Sequence, residues 1–438
     1  MDTSAMLQLN EQQQAAAQAH RSAAVISSAG TGKTAMLTQR YLNHVLGGLS
    51  PLQVVAVTFT EAAAHELRGR VRAALRHSPL TTPAALAELE LSPIGTIHSL
   101  CARICREHPE EAEVPASFQI LDQAAAAIFA AEQREGLLAS LPHDLFLGEA
   151  GIPLGQAERI LPHLLEAPHL TAEALAVMAQ PWNELREAWE EAAATLRTAA
   201  RARLCNDEWH HSAALLRGLT CSDASDALYP QWQTIVAQLE AIERAADPGE
   251  AVAALAEARL SGGGKAANWS APPAEVRAAC KFLRDAAEKA RKDGLIDLRI
   301  GPDDEQLYAK VATLRSIFER ASATMAGIKR RAGVLDFADL ELGALRALEH
   351  EGVREWYRQR WQVLLLDEAQ DINRTQAVIL ERLATLAPDN LVCAVGDEKQ
   401  AIYGFRGADV EEFRRFRDEV VVGRLGGQVI DLDQTYRQ

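Results

Sequence analysis

The chain has 438 residues, 48% hydrophobic and 24% charged. That balance describes an ordinary globular chain with room for two or three domains, and it excludes a disordered, fibrous or disulfide-stapled protein. The formal net charge of −15, from 45 Lys and Arg against 60 Asp and Glu, means that bulk electrostatics does not pull the chain onto nucleic acid or an anionic membrane. Any nucleic-acid site must therefore be local.

The N-terminal residues MDTSAMLQLNEQQQ hold no basic stretch followed by an apolar one, so neither secretion nor membrane insertion is expected, and a cytoplasmic location fits. Short apolar strands are predicted at 24–27, 53–58 and 94–97, each followed by a helical pattern. Cys101 and Cys105 lie one helical turn apart with no second pair, which makes them small buried residues rather than metal ligands. From 121 to 335 the chain is rich in Ala, Leu, Glu and Arg at helical spacing, as in AEALAVMAQPWNELREAWEEAAATLRTAARARL (172–204). This predicts an all-helical insertion, broken by the loop SGGGK (261–265) and by Gly301-Pro302. Trp182, Trp189, Trp209, Trp232 and Trp269 imply that it packs. Strands return at 363–366, 391–395 and 429–432, the last with an open edge. Short, continuously apolar strands joined by helices predict an α/β fold, a parallel sheet covered on both faces.

The sharpest local signal is the segment Ser27 to Thr34, SSAGTGKT, placed after a strand and before the helix expected at 35–46. A phosphate loop needs glycines so that successive N–H groups turn toward one anion, a lysine for the β- and γ-phosphates, and a hydroxyl for Mg²⁺. Gly30, Gly32, Lys33 and Thr34 supply these, although Ser27 stands where the general pattern has its first glycine. A second signal is LLLDEAQD (364–371), an apolar strand that delivers Asp367 and Glu368 to the edge where parallel sheets bind ligands. Alone such a pair is equally a helix N-cap; beside a phosphate loop it points to nucleoside triphosphate hydrolysis. Asp367 would then hold the Mg²⁺ shared with Thr34, and Glu368 would activate water. A third segment, GDEKQAIYGFRGA (396–408), places Gln400, Tyr403, Phe405 and Arg406 close together, suited to sensing a phosphate and stacking on unpaired bases. An aromatic-anchored turn is its other reading. Phe59 and His98 stand at two further strand ends.

These segments, in this order, resemble the N-terminal part of UvrD/Rep-type superfamily 1 DNA helicases, and most of all helicase subunits of the AddA and RecB kind. LNEQQQAA (9–16) resembles the adenine-reading Q motif, SAGTGKT (28–34) motif I, VTFTEAAAHELRGRV (57–71) motif Ia and GTIHSLCARICREH (95–108) the TxHS motif. LDFADL (335–340) is similar to a segment that re-enters the motor domain, LLLDEAQDIN (364–373) to motif II, VGDEKQAIYGFRGA (395–408) to motif III and LDQTYRQ (432–438) to motif IV.

The resemblance implies a RecA-like P-loop NTPase domain made of residues 1–120 and 336–428, a helical insertion domain at 121–335, and at 429–438 the start of a second RecA-like domain that the chain does not go on to supply. It implies an ATP- and Mg²⁺-dependent motor for single-stranded or partly duplex DNA in repair or recombination, moving 3′ to 5′. A second helicase/nuclease subunit or a C-terminal half would complete it; no nuclease chemistry is expected of these residues. By matching position, Gln13 and Tyr436 would meet adenine, and Ser28, Ala29, Gly30, Thr31, Gly32, Lys33 and Thr34 the phosphates. Asp367 and Thr34 would hold Mg²⁺, Glu368 would be the base, and Gln400 and Arg437 would approach the γ-phosphate. Phe59, Thr60, His98, Tyr403, Phe405 and Arg406 would face the DNA, with Arg68 and Arg70 near its phosphates. A non-catalytic ATP- and DNA-binding module, or an inactive half-motor that binds without moving, is the alternative. A P-loop ATPase that is not a helicase is a weaker one, since it would have no reason to carry TIHS and QAIYGFRGA.

Overall fold

A computed structural model describes residues 9–28, 30–244, 248–260, 263–401 and 409–434. Its main sheet has six strands: β1 (Ala23–Ser27), β2 (Val54–Thr58), β3 (Ile94–Thr96), β6 (Val363–Leu366), β7 (Leu391–Gly396) and β8 (Gln428–Leu432). They are ordered β3-β2-β6-β7-β1-β8 and every pairing is parallel. Strands β4 (Gln119–Ile120) and β5 (Val334–Leu335) form a separate two-stranded parallel pair that the apolar patterning does not predict.

Continuous apolar strands are what a sheet buried on both faces requires, and alternate residues divide between two cores. Val54, Ala56, Val363, Leu365, Cys393 and Val395 join one core with Met36, Leu37 and Tyr41 of helix α2 (Lys33–Leu46) and Leu67, Val71 and Leu75 of helix α3 (Glu61–His77). Val55, Val57, Leu364, Leu366, Val392 and Ala394 join the other, against a helix at Ile97–Glu107 and helices Phe337–Ala347 and Arg374–Ala384. Cys101 and Cys105 are fully buried in this second core. The sheet edges are β3 and β8, and Val429 on β8 is exposed.

The chain divides into two compact units, one of residues 1–142, 154–172 and 317–438, the other of 143–153 and 173–316. The first carries the whole sheet. The second is helical, with its own core around Trp209, Leu216, Leu239, Leu283 and Trp269. There Trp232, half-buried, donates through Nε1 to the Leu216 carbonyl at 2.7 Å and meets the buried Trp269 edge to face at 5.6 Å between ring centres, so the polar end of a large ring is satisfied while its body packs on the core.

Helix Phe337–Ala347 opens with a reciprocal cap: Asp339 N–H donates to Asp336 Oδ1 at 3.0 Å and Asp336 N–H to Asp339 Oδ2 at 2.9 Å. Lys329 donates to both carboxylates, at 2.8 Å to Asp339. Burial, then the Asp336 carboxylate, pushes the Asp339 carboxyl from its ordinary 3.8 up to about 6. Between those values the folded chain binds a proton that the unfolded chain does not, so this group's contribution to stability falls as pH rises through that window and is lost above it. Asn at 339 keeps an oxygen for the cap and removes the titration. The melting temperature of Asp339→Asn relative to wild type is therefore expected to rise between about pH 4 and pH 7. A difference that falls over that interval would show that Lys329 holds Asp339 ionised.

Candidate nucleotide site at the C-terminal sheet edge

Because all six strands are parallel, the residues that follow them gather along one edge. Ser27 ends β1 and its hydroxyl donates to the Gly396 carbonyl of β7 at 3.3 Å. The loop then turns through Gly30 and Gly32, both at φ near +75°, which only glycine adopts without strain. Gly32 is the N-cap of the 14-residue helix α2. A Cβ there would also sit 2.4 Å from Gln13 Nε2, so a side chain at 32 would push the Gln13 amide off the Thr31 carbonyl. Helix α2 starts at Lys33, two residues before the expected start, because the left-handed glycine closes the first turn directly. The Thr31 hydroxyl donates to the Ser28 carbonyl at 2.8 Å, bracing the loop. Thr34 stands in the first turn of α2, where backbone N–H groups have no intrahelical acceptor.

Gln13 is buried on helix α1 (Glu11–Gln18), held by a capping box with Asn10, and its Nε2 donates to the Thr31 carbonyl at 2.7 Å. Opposite the loop, Lys33 Nζ lies 2.9 Å from Glu368 Oε2, an ion pair linking residues 335 apart in sequence. Glu368 adopts a left-handed backbone (φ 52°, ψ 44°), an unfavourable conformation for a non-glycine residue that recurs at functional turns.

Gln370 carries the geometry onward. Its Nε2 donates to Glu368 Oε2 at 2.9 Å and to Asp371 Oδ2 at 3.2 Å, and its Oε1 accepts from Asp397 N–H at 2.9 Å. Gln400 in turn donates through Nε2 to Asp397 Oδ2. A continuous chain of bonds thus joins Lys33, Glu368, Gln370, Asp397 and Gln400. Burial, then the Glu368 carboxylate, raises the Asp367 carboxyl to about 6, while Lys33 opposes the rise. Asp371 is raised to about 6 by the same two causes, and its Oδ1 is buried without a partner among the described residues. Among the described residues no group of three or more carboxylate, His or Cys side chains gathers to hold a metal by itself, so a cation here would rest on Asp367 together with the Thr34 hydroxyl and phosphate oxygens, and the glycine-lined helix terminus fits phosphate.

Phe59 and Thr60 follow β2; the Thr60 hydroxyl is occupied as the N-cap of α3, accepting from Ala63 N–H at 3.1 Å. His98 follows β3, stacked on Phe337 with ring centres 4.2 Å apart, its Nε2 3.1 Å from Glu341 Oε1. Arg68 donates to the Ile94 carbonyl and Arg70 pairs with Glu66 at 2.5 Å. Ala29, Tyr403, Phe405, Arg406, Tyr436 and Arg437 lie outside the described residues. Sequence patterning does not single out Gln370, Asp371, Asp397 or Glu341; the first three sit inside segments that match motifs, and Glu341 directly follows LDFADL.

A six-stranded parallel sheet with a glycine loop after β1 and adjacent carboxylates after β6 defines a P-loop NTPase fold. The family model for the UvrD/REP helicase N-terminal domain matches residues 9–421, and the chain belongs to that family. It is 27% identical to an ATP-dependent helicase/nuclease subunit of Latilactobacillus sakei subsp. sakei (strain 23K), over 90% of this chain and 49% of that protein. It is 26% identical to the like-named proteins of Geobacillus thermodenitrificans (strain NG80-2), over 98% of this chain and 38% of that protein, and Staphylococcus aureus (strain NCTC 8325 / PS 47), over 94% and 37%. The chain thus spans less than half the length of these curated relatives. No helix among the described residues is long and apolar enough to cross a membrane.

Proposed function

We propose that this chain is the ATP-binding and single-strand-binding part of a DNA helicase of repair or recombination, moving 3′ to 5′ in the cytoplasm with a partner subunit. The observation that carries the reading is the Lys33–Glu368 pair: it sets the phosphate-loop lysine and the strand-end carboxylate in contact at the ligand-binding edge of the sheet. In this reading the loop N–H groups from Ser28 to Thr34 cradle the phosphates, and Gln13, fixed against Thr31, reads the adenine. Asp367 and the Thr34 hydroxyl would hold Mg²⁺, whose chemistry is to neutralise charge on the β- and γ-oxygens.

The phosphates compete with Glu368 for Lys33. Once Lys33 turns to them, Gln370 still grips Glu368 Oε2, leaving Oε1 to orient a water and take its proton. Gln400, at the end of the same chain of bonds, would respond to the γ-phosphate, with Tyr436 and Arg437 assigned to adenine and phosphate by their motif alone. Phe59, His98, Tyr403, Phe405 and Arg406 would meet the strand. Stacking on aromatic faces contributes roughly 1–3 kcal/mol per base and needs no basic surface, which reconciles strand binding with the net charge of −15. ATP turnover measured as single-stranded DNA is added tests the reading: turnover that rises with the strand supports it, and turnover indifferent to the strand opposes it.

A further inference from the structure

Glu341, on helix Phe337–Ala347, is only 3% exposed. A carboxylate so far from water persists where donors replace its hydration. Three side chains do so: Gln376 Nε2 reaches Oε1 at 2.7 Å, His98 Nε2 reaches the same oxygen at 3.1 Å, and Asn373 Nδ2 lies 3.4 Å from each oxygen. Asn373 and Gln376 are also the two halves of the capping box that starts helix Arg374–Ala384, just downstream of Asp367 and Glu368.

His98 is held differently from the other two. A carboxylate can only accept, so the contact assigns the proton to Nε2. Phe337, from the same helix as Glu341, covers a ring face at 4.2 Å. The imidazole is thus gripped at one nitrogen and one face, while 31% of the side chain stays exposed at the sheet edge. Gln376 and Asn373 alone already give each carboxylate oxygen a donor, so the His98 contact does more for the ring than for Glu341. Fixing a ring before its ligand arrives removes the ordering cost from binding.

We propose that Glu341 is a positioning residue for single-strand binding: it locks the His98 ring in the orientation that meets the DNA strand and ties that ring to the segment carrying Asp367 and Glu368. The proposal rests on the reading that the strand passes over His98.

The test is a double-mutant cycle in this chain, read as affinity for a fluorescein-labelled oligo-dT, with affinity for a fluorescent ATP analogue measured in the same samples. His98→Ala is expected to weaken strand binding about tenfold. Glu341→Ala should weaken it nearly as much, and the double variant no further than His98→Ala, because the carboxylate acts through the ring. Glu341→Gln, which keeps the volume and one accepting oxygen, should recover part of the loss, and it carries the cycle if Glu341→Ala does not fold. Additive losses, a Glu341 variant that binds the strand like wild type, or strand and nucleotide affinity falling in parallel would overturn the positioning role. Wild-type strand binding by His98→Ala would overturn the strand reading at His98 and the positioning role with it.

Discussion

Lys33→Ala is expected to weaken ATP binding by about two to three orders of magnitude and to remove turnover at any practical nucleotide concentration. Two effects add. The ammonium would donate charge-assisted hydrogen bonds to the phosphates, and truncating one partner of such a desolvated pair costs about 2–5 kcal/mol. Its removal also leaves Glu368, now 2.9 Å from Nζ, with Asp367 and Asp371 facing a polyanion uncompensated. Calorimetric titration with Mg·ATP checks this; an affinity within a few-fold of wild type would mean that the loop N–H groups alone hold the phosphates.

Glu368→Gln is expected to separate binding from chemistry. The amide is isosteric and cannot take a proton, so the rate of hydrolysis should fall by about a hundredfold or more, the usual contribution of a positioned base. ATP affinity should hold or tighten, because Lys33 no longer has to leave a carboxylate partner to reach the phosphates. Single-turnover hydrolysis beside equilibrium binding reads both quantities. Normal turnover would remove Glu368 from the role of base, and lost binding would make it a structural partner of Lys33.

Much of the fold is legible in the sequence because its signals are local. Strands such as VVAVT (54–58) and VLLL (363–366) are continuously apolar, and the structure buries both their faces. The phosphate loop is legible for a similar reason: its glycines stand at the two positions that require a positive φ. The β4–β5 pair escapes notice because it is two residues long and Gln119 and Ile120 remain exposed. What no local pattern could give is the polar wiring. Gln370 meets Asp397 across 27 residues and Glu341 meets His98 across 243, and nothing in either neighbourhood announces its partner. The motif around Arg68 suggests a place near DNA phosphates; in the structure its guanidinium donates to the Ile94 carbonyl at the edge strand β3.

Steady-state ATP turnover by this chain, with and without oligo-dT and with Lys33→Ala alongside, tests the central claim most directly. The account predicts turnover that the single strand stimulates and that the lysine variant abolishes. Turnover unchanged by the strand, or undiminished in the lysine variant, would contradict it, and Mg·ATP binding without any turnover would identify the inactive half-motor instead.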